Sequence, residues 1–414
     1  MSNEAPSSQP KADSHSHRWW GVVVMAIAGF TLGADLYMLP ALLPSLAKEL
    51  QIQLTTAGQM LTLYAAISAV AAPVLVVMFR QANRRTLLII SISALVLTNL
   101  LVALIPGAAG FALTRVLAAL AGAVLGPIRT AAAGGLAPKG MQTRAIAIAT
   151  AGQSAALVVG APVGLWVAGD YGWRVAFAGA AGVSLLALIG VFVFIPSMPS
   201  TSKATLGQQL SVLKNRKVLL VLVSNAASLC GIFVLLTFLR PVLAQITTLG
   251  PTASSSVFAT YGVAGMAGNA LAGWAGGRLS STRVMLGGLV LAGLALIGIS
   301  VLFLWPPSPV STALVLLLVV LWGGGAWAFY SMQFSRLVEL APTAPAAAVS
   351  WASPASFVGI SLGATLGGLT LQHGSAGLLG AAAGLCFLVG AGCVLATTLE
   401  PQARLALSSQ EPGN

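Results

Sequence analysis

"PSMPSTSKATLGQQLSVLKNRKV" (Pro196 to Val218) is the longest polar stretch of the chain after its N-terminus, and it splits everything else into two equal parts. Before it, apolar runs long enough to cross a bilayer cover 19–43, 56–79, 86–106, 109–131, 143–169 and 174–196. After it come 218–243, 253–278, 283–305, 311–338, 345–372 and 376–399. The expectation is an all-α integral membrane protein of twelve transmembrane helices in two six-helix repeats. Residues 19–196 form one bundle and 218–400 the other, with a cytoplasmic linker at 197–217. The tails are 1–18 and 401–414, both cytoplasmic and the first disordered. The run from Trp19 to Leu43 is too long for a signal-peptide core, so it is read as a retained first helix.

Composition agrees. The 414 residues are 57% hydrophobic and only 7% charged, where a soluble domain carries about 25% charged residues. The 46 glycines have no collagen-like period and suit closely packed membrane helices. A net charge of +12 would fit a nucleic-acid partner if it formed a patch, but the basic residues fall between apolar runs. No nucleic-acid partner is expected. Cys230, Cys386 and Cys393 lie in apolar runs without metal-ligand spacing, so neither a metal nor a disulfide framework is expected. No phosphate-binding glycine loop and no nucleophile–base set occurs, which argues against ATP as an energy source and against an enzyme; no cofactor is implied.

The linker also fixes orientation. With the N-terminus inside, all Lys and Arg fall on the cytoplasmic side except Lys48, Arg115, Arg174 and Arg240, so the positive-inside bias favours N-in/C-in. The halves resemble each other: at one offset Pro44 aligns with Pro241 and Tyr64 with Tyr261, and Gly160 and Gly164 have counterparts in Gly363 and Gly367. Parallel repeats of this kind are a transporter architecture, with the substrate site between the halves.

"GQSAALVVGAPVGLWVAGDYGWRVAF" (Gly152 to Phe177) combines a glycine run around Pro162 with a G-W-R-x-x-F step into helix six. Gly160 and Gly164 lie on one helix face and permit close backbone approach, while Pro162 weakens the helix locally. "LTRVLAALAGAVLGP" (Leu113 to Pro127) places Gly122 seven residues after Arg115. On these residues the chain resembles the major facilitator superfamily, and within it the twelve-helix drug:proton antiporters and sugar-efflux permeases, from about Trp19 to Glu400. The first segment resembles the antiporter signature, with Ala161 intervening between Gly160 and Pro162. The second resembles the helix-four motif whose Arg is associated with proton coupling. For Arg115 two roles stay open, coupling or snorkelling to the outer interface.

The loop after helix two departs from that family's G-x-x-x-D-R-x-G-R-R. Here it reads "VVMFRQANRR" (Val76 to Arg85), and only Arg84 and Arg85 survive. Arg80 stands where relatives have the loop Asp, and no Asp or Glu occurs between Glu49 and Asp170. Glu339 is the candidate substitute for the missing acid. Arg84 and Arg85 are read equally as gating groups and as positive-inside anchors.

Asp35, inside "GFTLGADLYMLPALLP" (Gly29 to Pro44), is the one carboxylate well within the predicted spans. Such a residue costs about 2.5–3.5 kcal/mol on insertion scales and is functional by default. The proposed use is carrying a proton; a helix–helix hydrogen bond without titration is the alternative. At 1.5 Å per residue Asp35 lies roughly 24 Å along helix one, and Arg115 roughly 9 Å below the outer boundary, so the two reach similar depth and form a switchable pair. Tyr37, Tyr64, Gln153, Asn225, Tyr261, Asn269 and Tyr330 are the candidate substrate-binding residues. Gly160, Pro162, Gly164, Arg84, Arg85, Gly363 and Gly367 are the gating or structural ones.

What the resemblance implies is a monomeric, proton-coupled antiporter in a bacterial inner membrane. It would export small neutral or amphiphilic molecules, phenicol-like antibiotics among them, by alternating access, with protons and the lipid bilayer as its other partners. Sugar or nucleoside efflux is the alternative within the family, and a passive facilitator the alternative outside it.

Overall fold

The computed structural model describes residues 13–138, 140–199, 206–250 and 253–408. Lys11, Lys139 and Lys203 of the orientation argument, and the outer parts of both tails, lie outside the described residues. The N-terminal half contains α1 (Asp13–Glu49), α2 (Leu54–Met78), α3 (Arg84–Leu104) and α4 (Gly107–Leu136). Next is α5, which runs as Gln142–Ala155, a π-helical turn Ala156–Gly160 and Ala161–Tyr171; α6 is Trp173–Phe194. The C-terminal half contains α7 (Arg216–Leu236), α8 (Ser255–Gly276), α9 (Ser281–Val301), α10 (Pro309–Leu340), α11 (Ala352–His373) and α12 (Leu378–Ser408). Eleven of these are apolar and long enough to cross a membrane. The twelfth, α8, has 22 residues, as do α6 and α11, and carries Asn269 and several glycines within its length. The chain is a multi-pass membrane protein.

Local chemistry sets the ends. Asn83 caps α3 by accepting from Arg85 N, Asn215 caps α7 by accepting from Lys217 N, and Ser308 and Ser311 form a capping box on α10. Gly172, at φ 88°, makes the turn between α5 and α6 that a side chain would strain. Pro162 has no N–H for a regular turn, and the backbone answers with the π turn just before it.

Several boundaries differ from those expected. α1 begins at Asp13, within the expected tail, and α12 continues to Ser408. The predicted seventh helix breaks after Leu236, where the Thr237 hydroxyl bonds back to Phe233 O, and a short helix Leu239–Ile246 carries Pro241. The predicted eleventh is split at Trp351, ahead of Pro354, into Pro345–Ser350 and α11. α4 runs to Leu136, which moves Arg129 from a helix end into the helix body.

Within each half, one helix packs at the centre: α1 against α5, α6 and α4, and α7 against α11 and α12. The halves meet along two seams, α2 on α11 and α8 on α5. Taking the Lys/Arg bias to define the outside, hydrogen bonds close the outer part of this interface. Thr62 pairs with Thr365 (3.2 Å), Gln372 donates to Thr55 (3.3 Å) and Arg240 donates to Ala41 O (3.5 Å). α8 rests on the π turn and outer segment of α5 and touches its inner segment only slightly. On this orientation the hydrogen bonds between the halves lie on the outer side, the arrangement expected of an inward-facing state.

Candidate functional site

Asp35 reaches the interior of its half because Gly33 lets α1 approach α5: a Cβ there would stand 2.6 Å from both Ala156 Cβ and Gln153 O. From α4, Arg115 Nη1 donates to Asp35 Oδ1 at 3.1 Å, and Nη2 donates to Asn99 Oδ1 of α3 at 3.4 Å. Both charged side chains are 0% exposed. The guanidinium lies over the rings of Phe111 and Phe177, with centroids at 5.1 and 4.8 Å, and Trp173 packs edge-on against both rings. Trp173 and Phe177 belong to the G-W-R-x-x-F step, so that motif builds the apolar cage around Arg115. Asp35 Oδ2 is buried without a hydrogen bond. Arg115 is therefore a buried ion-pair member and does not snorkel.

Next to this pair lies a group of largely buried aromatic side chains drawn from both halves. Tyr64 stands behind the pair, its hydroxyl filling the room left by Gly122, where a Cβ would be 2.9 Å away. The glycine of the helix-four motif thus has a steric reason. Tyr64 meets Phe357 edge-on at 6.3 Å, Tyr37 stacks with Phe233 at 6.3 Å, and Tyr261 lies 4.3 Å from Trp322. Tyr330 packs on Trp327 and Phe334 at 5.6 and 5.4 Å. Tyr37, Tyr64, Tyr261 and Tyr330 are thus brought toward one region. Their partners Phe233, Phe357, Trp322 and Trp327 carry no sequence signal that separates them from other aromatics in apolar helices.

The remaining polar candidates are used differently. Asn225 is buried and donates to Ala352 O and Ser356 Oγ, both at 2.9 Å, gripping α11 from α7. Gln153 accepts from Arg129 Nη2 at 3.2 Å, and Arg129 Nη1 also donates to Ala149 O. Arg129 is 3% exposed, which sequence reading missed by counting it as a cytoplasmic anchor. Asn269 is exposed on the inner half of α8 and bonds to Ser331.

Of the glycine face, a Cβ at Gly164 would meet Met38 Cγ at 2.7 Å, and one at Gly160 would meet Phe30 Cζ at 3.3 Å. Gly363 abuts Cys230 O, and Gly367 abuts Val234 O. Arg84 donates to Ala131 O and Arg85 to Phe192 O, both within their own half. Glu339 is taken by Arg336 at 3.0 Å and by Ser281, so it does not bridge to the loop after α2.

The chain matches the Major Facilitator Superfamily model over residues 25–364. It is 26% identical over 353 residues to the inner membrane transport protein YdhP of Escherichia coli (strain K12), covering 85% of this chain and 89% of that one. To the chloramphenicol resistance protein of Streptomyces lividans it is 31% identical over 354 residues, covering 84% and 88%. The solved structure of the peptide transporter POT superposes with a TM-score of 0.74 at 14% sequence identity, over 91% of this chain and 93% of that chain, a likeness of fold.

Proposed function

The chain belongs to the Major Facilitator Superfamily, whose members are transporters and not enzymes, and from that premise we propose that it is a proton-coupled antiporter. It exports small neutral or amphiphilic molecules, phenicol-like ones among them, across a bacterial inner membrane by alternating access. The observation that carries this reading is the sealed pair: Oδ1 of Asp35 held by Arg115 at 3.1 Å and Oδ2 buried without a partner. Oδ2 is the atom that takes the proton. While the pair is closed, the guanidinium compensates the carboxylate. When α1 and α4 shift and the pair parts, a buried carboxylate without compensation is costly, and binding a proton removes its charge.

The π turn of α5 supplies the mechanical link. It touches α1 at Gly33 through Ala156 and the opposite half at Gly262 through Val158, so rocking of the halves bears on the helix that holds Asp35. The aromatic side chains that meet between the halves, Tyr37 with Phe233 and Tyr64 with Phe357, suit a moderately apolar substrate where the halves part. The likeness to a chloramphenicol resistance protein supports the same class.

The test is export of chloramphenicol from proteoliposomes under an imposed pH gradient. Export collapses on adding a protonophore, and the Asp35→Asn protein binds the drug without concentrating it. Uphill export that survives the protonophore, or that Asp35→Asn sustains at wild-type rates, overturns the coupling.

A further inference from the structure

Arg129 carries a charge that its place in the fold does not require. It is 3% exposed, its two Nη groups bond neutral acceptors on α5, and its Nε has no hydrogen bond. Among the described residues no ion pair includes it: Asp35 is held by Arg115, Glu49 by Arg174 and Glu339 by Arg336. A buried cation left without an anion is costly.

The other half holds the matching points of α11 without charge, though from a different helix: Asn225 lies on α7, the counterpart of α1, whereas Arg129 lies on α4. There Asn225 grips Ala352 O and Ser356, and these two residues stand as far along the chain from Ala149 and Gln153 as Gly363 stands from Gly160. The matching acceptors on α11 are thus held by a neutral donor. The positive charge and the spare Nε–H of Arg129 are left over for something else. Gln153, half-buried, accepts from Arg129 through its oxygen, which leaves its amide N–H groups to donate.

We propose that Arg129 and Gln153 form an anion-recognition site on the cytoplasmic side of the transport path, taking the carboxylate of an amphiphilic molecule delivered from the cytoplasm. This rests on the transporter reading and narrows its amphiphilic substrates to those bearing one acidic group. The guanidinium is itself packed against α1, where a Cβ at Gly29 would run into it. A monoanion suits the few free donors better than a doubly charged phosphate.

The test uses the full chain in phosphatidylcholine nanodiscs, titrated with 2-naphthoate and with its neutral analogue 2-naphthamide and read by tryptophan fluorescence. Wild-type protein binds the acid about tenfold or more tighter than the amide, the size expected of a charge-assisted hydrogen bond. In Arg129→Gln, which keeps a neutral donor for the acceptors on α5, the ratio falls to about one; in Arg129→Lys most of it remains. A wild-type ratio near one, or an undiminished ratio in Arg129→Gln, overturns the site. Parallel titrations add chloride, inorganic phosphate or phosphatidylglycerol. If any of these at physiological concentration abolishes naphthoate binding, the charge serves an inorganic ion or a lipid headgroup and the substrate assignment fails. The readout is binding alone, so it fails separately from the protonophore experiment, which judges the transporter reading.

Discussion

Helices α5 and α11 are gripped at matching points, one by a cation and the other by an amide. In the N-terminal half Arg129 reaches Ala149 O and Gln153; in the C-terminal half Asn225 reaches Ala352 O and Ser356. The contrast extends to the core. At the spacing that relates Tyr64 to Tyr261, the counterpart of Asp35 is Ile232, a buried aliphatic residue. Among the described residues the buried ion pair and the extra buried cation both belong to the N-terminal half, while Asn225 and Ile232 of the other half are neutral. A machine that rocks two similar bodies needs similar packing in both, whereas a proton site is needed in only one.

Making the N-terminal half as neutral as its partner produces the largest effect. Arg115→Ala leaves Asp35 uncompensated in a sealed site and should destabilise the protein by about 3–5 kcal/mol, with export lost. Asp35→Asn combined with Arg115→Gln should recover most of that stability, read by thermal unfolding in detergent, without recovering uphill export. A double variant that still concentrates substrate would show that the halves differ in charge for no mechanistic reason.

The glycine faces differ in a finer way. At Gly160 an added methyl meets the ring edge of Phe30 at 3.3 Å, an atom that a small rotation moves aside. At Gly363 it meets the backbone of Cys230, including Cα at 3.0 Å, which cannot yield without moving α7. Gly363→Ala should therefore cost about 1–3 kcal/mol and slow transport, while Gly160→Ala is close to neutral. Equal melting temperatures and equal fluxes for the two variants would erase this distinction between the halves.

Much of this architecture was legible in the sequence for one physical reason: a membrane leaves few places for charge. That scarcity singled out Asp35 and Arg115, and helix rise alone brought them to one depth. It also misled. A positive-inside count treats every Arg near a predicted helix end as an anchor, so Arg129 looked ordinary until α4 proved to run on to Leu136. Amides were ambiguous for a different reason. Asn225 and Gln153 had the composition of cavity residues, but a polar group in a span satisfies a neighbouring helix as readily as a ligand, and only packing tells which. The breaks at Thr237 and Trp351 fall just ahead of Pro241 and Pro354, but membrane helices tolerate proline, so those prolines did not by themselves mark an end.

The smallest expected effect separates the two seams between the halves. The α5–α8 seam is apolar where Val158 lies against Gly262, whereas α2–α11 carries the Thr62–Thr365 hydrogen bond. Thr365→Val keeps the volume of the side chain and removes one partner of that bond, which exists only while the outer face is closed. Its loss should cost the inward-facing state about 0.5–1.5 kcal/mol and the outward-facing state nothing. The ratio of the two populations then shifts toward outward-facing by about two- to tenfold. Spin labels on Lys48 and Trp305, which lie on the outer side of opposite halves, read this directly as a longer distance gaining weight in the absence of substrate. An unchanged distance distribution would mean that shape complementarity along α2 and α11, and not the threonine pair, holds the outer face shut, and that the two seams close by the same physics.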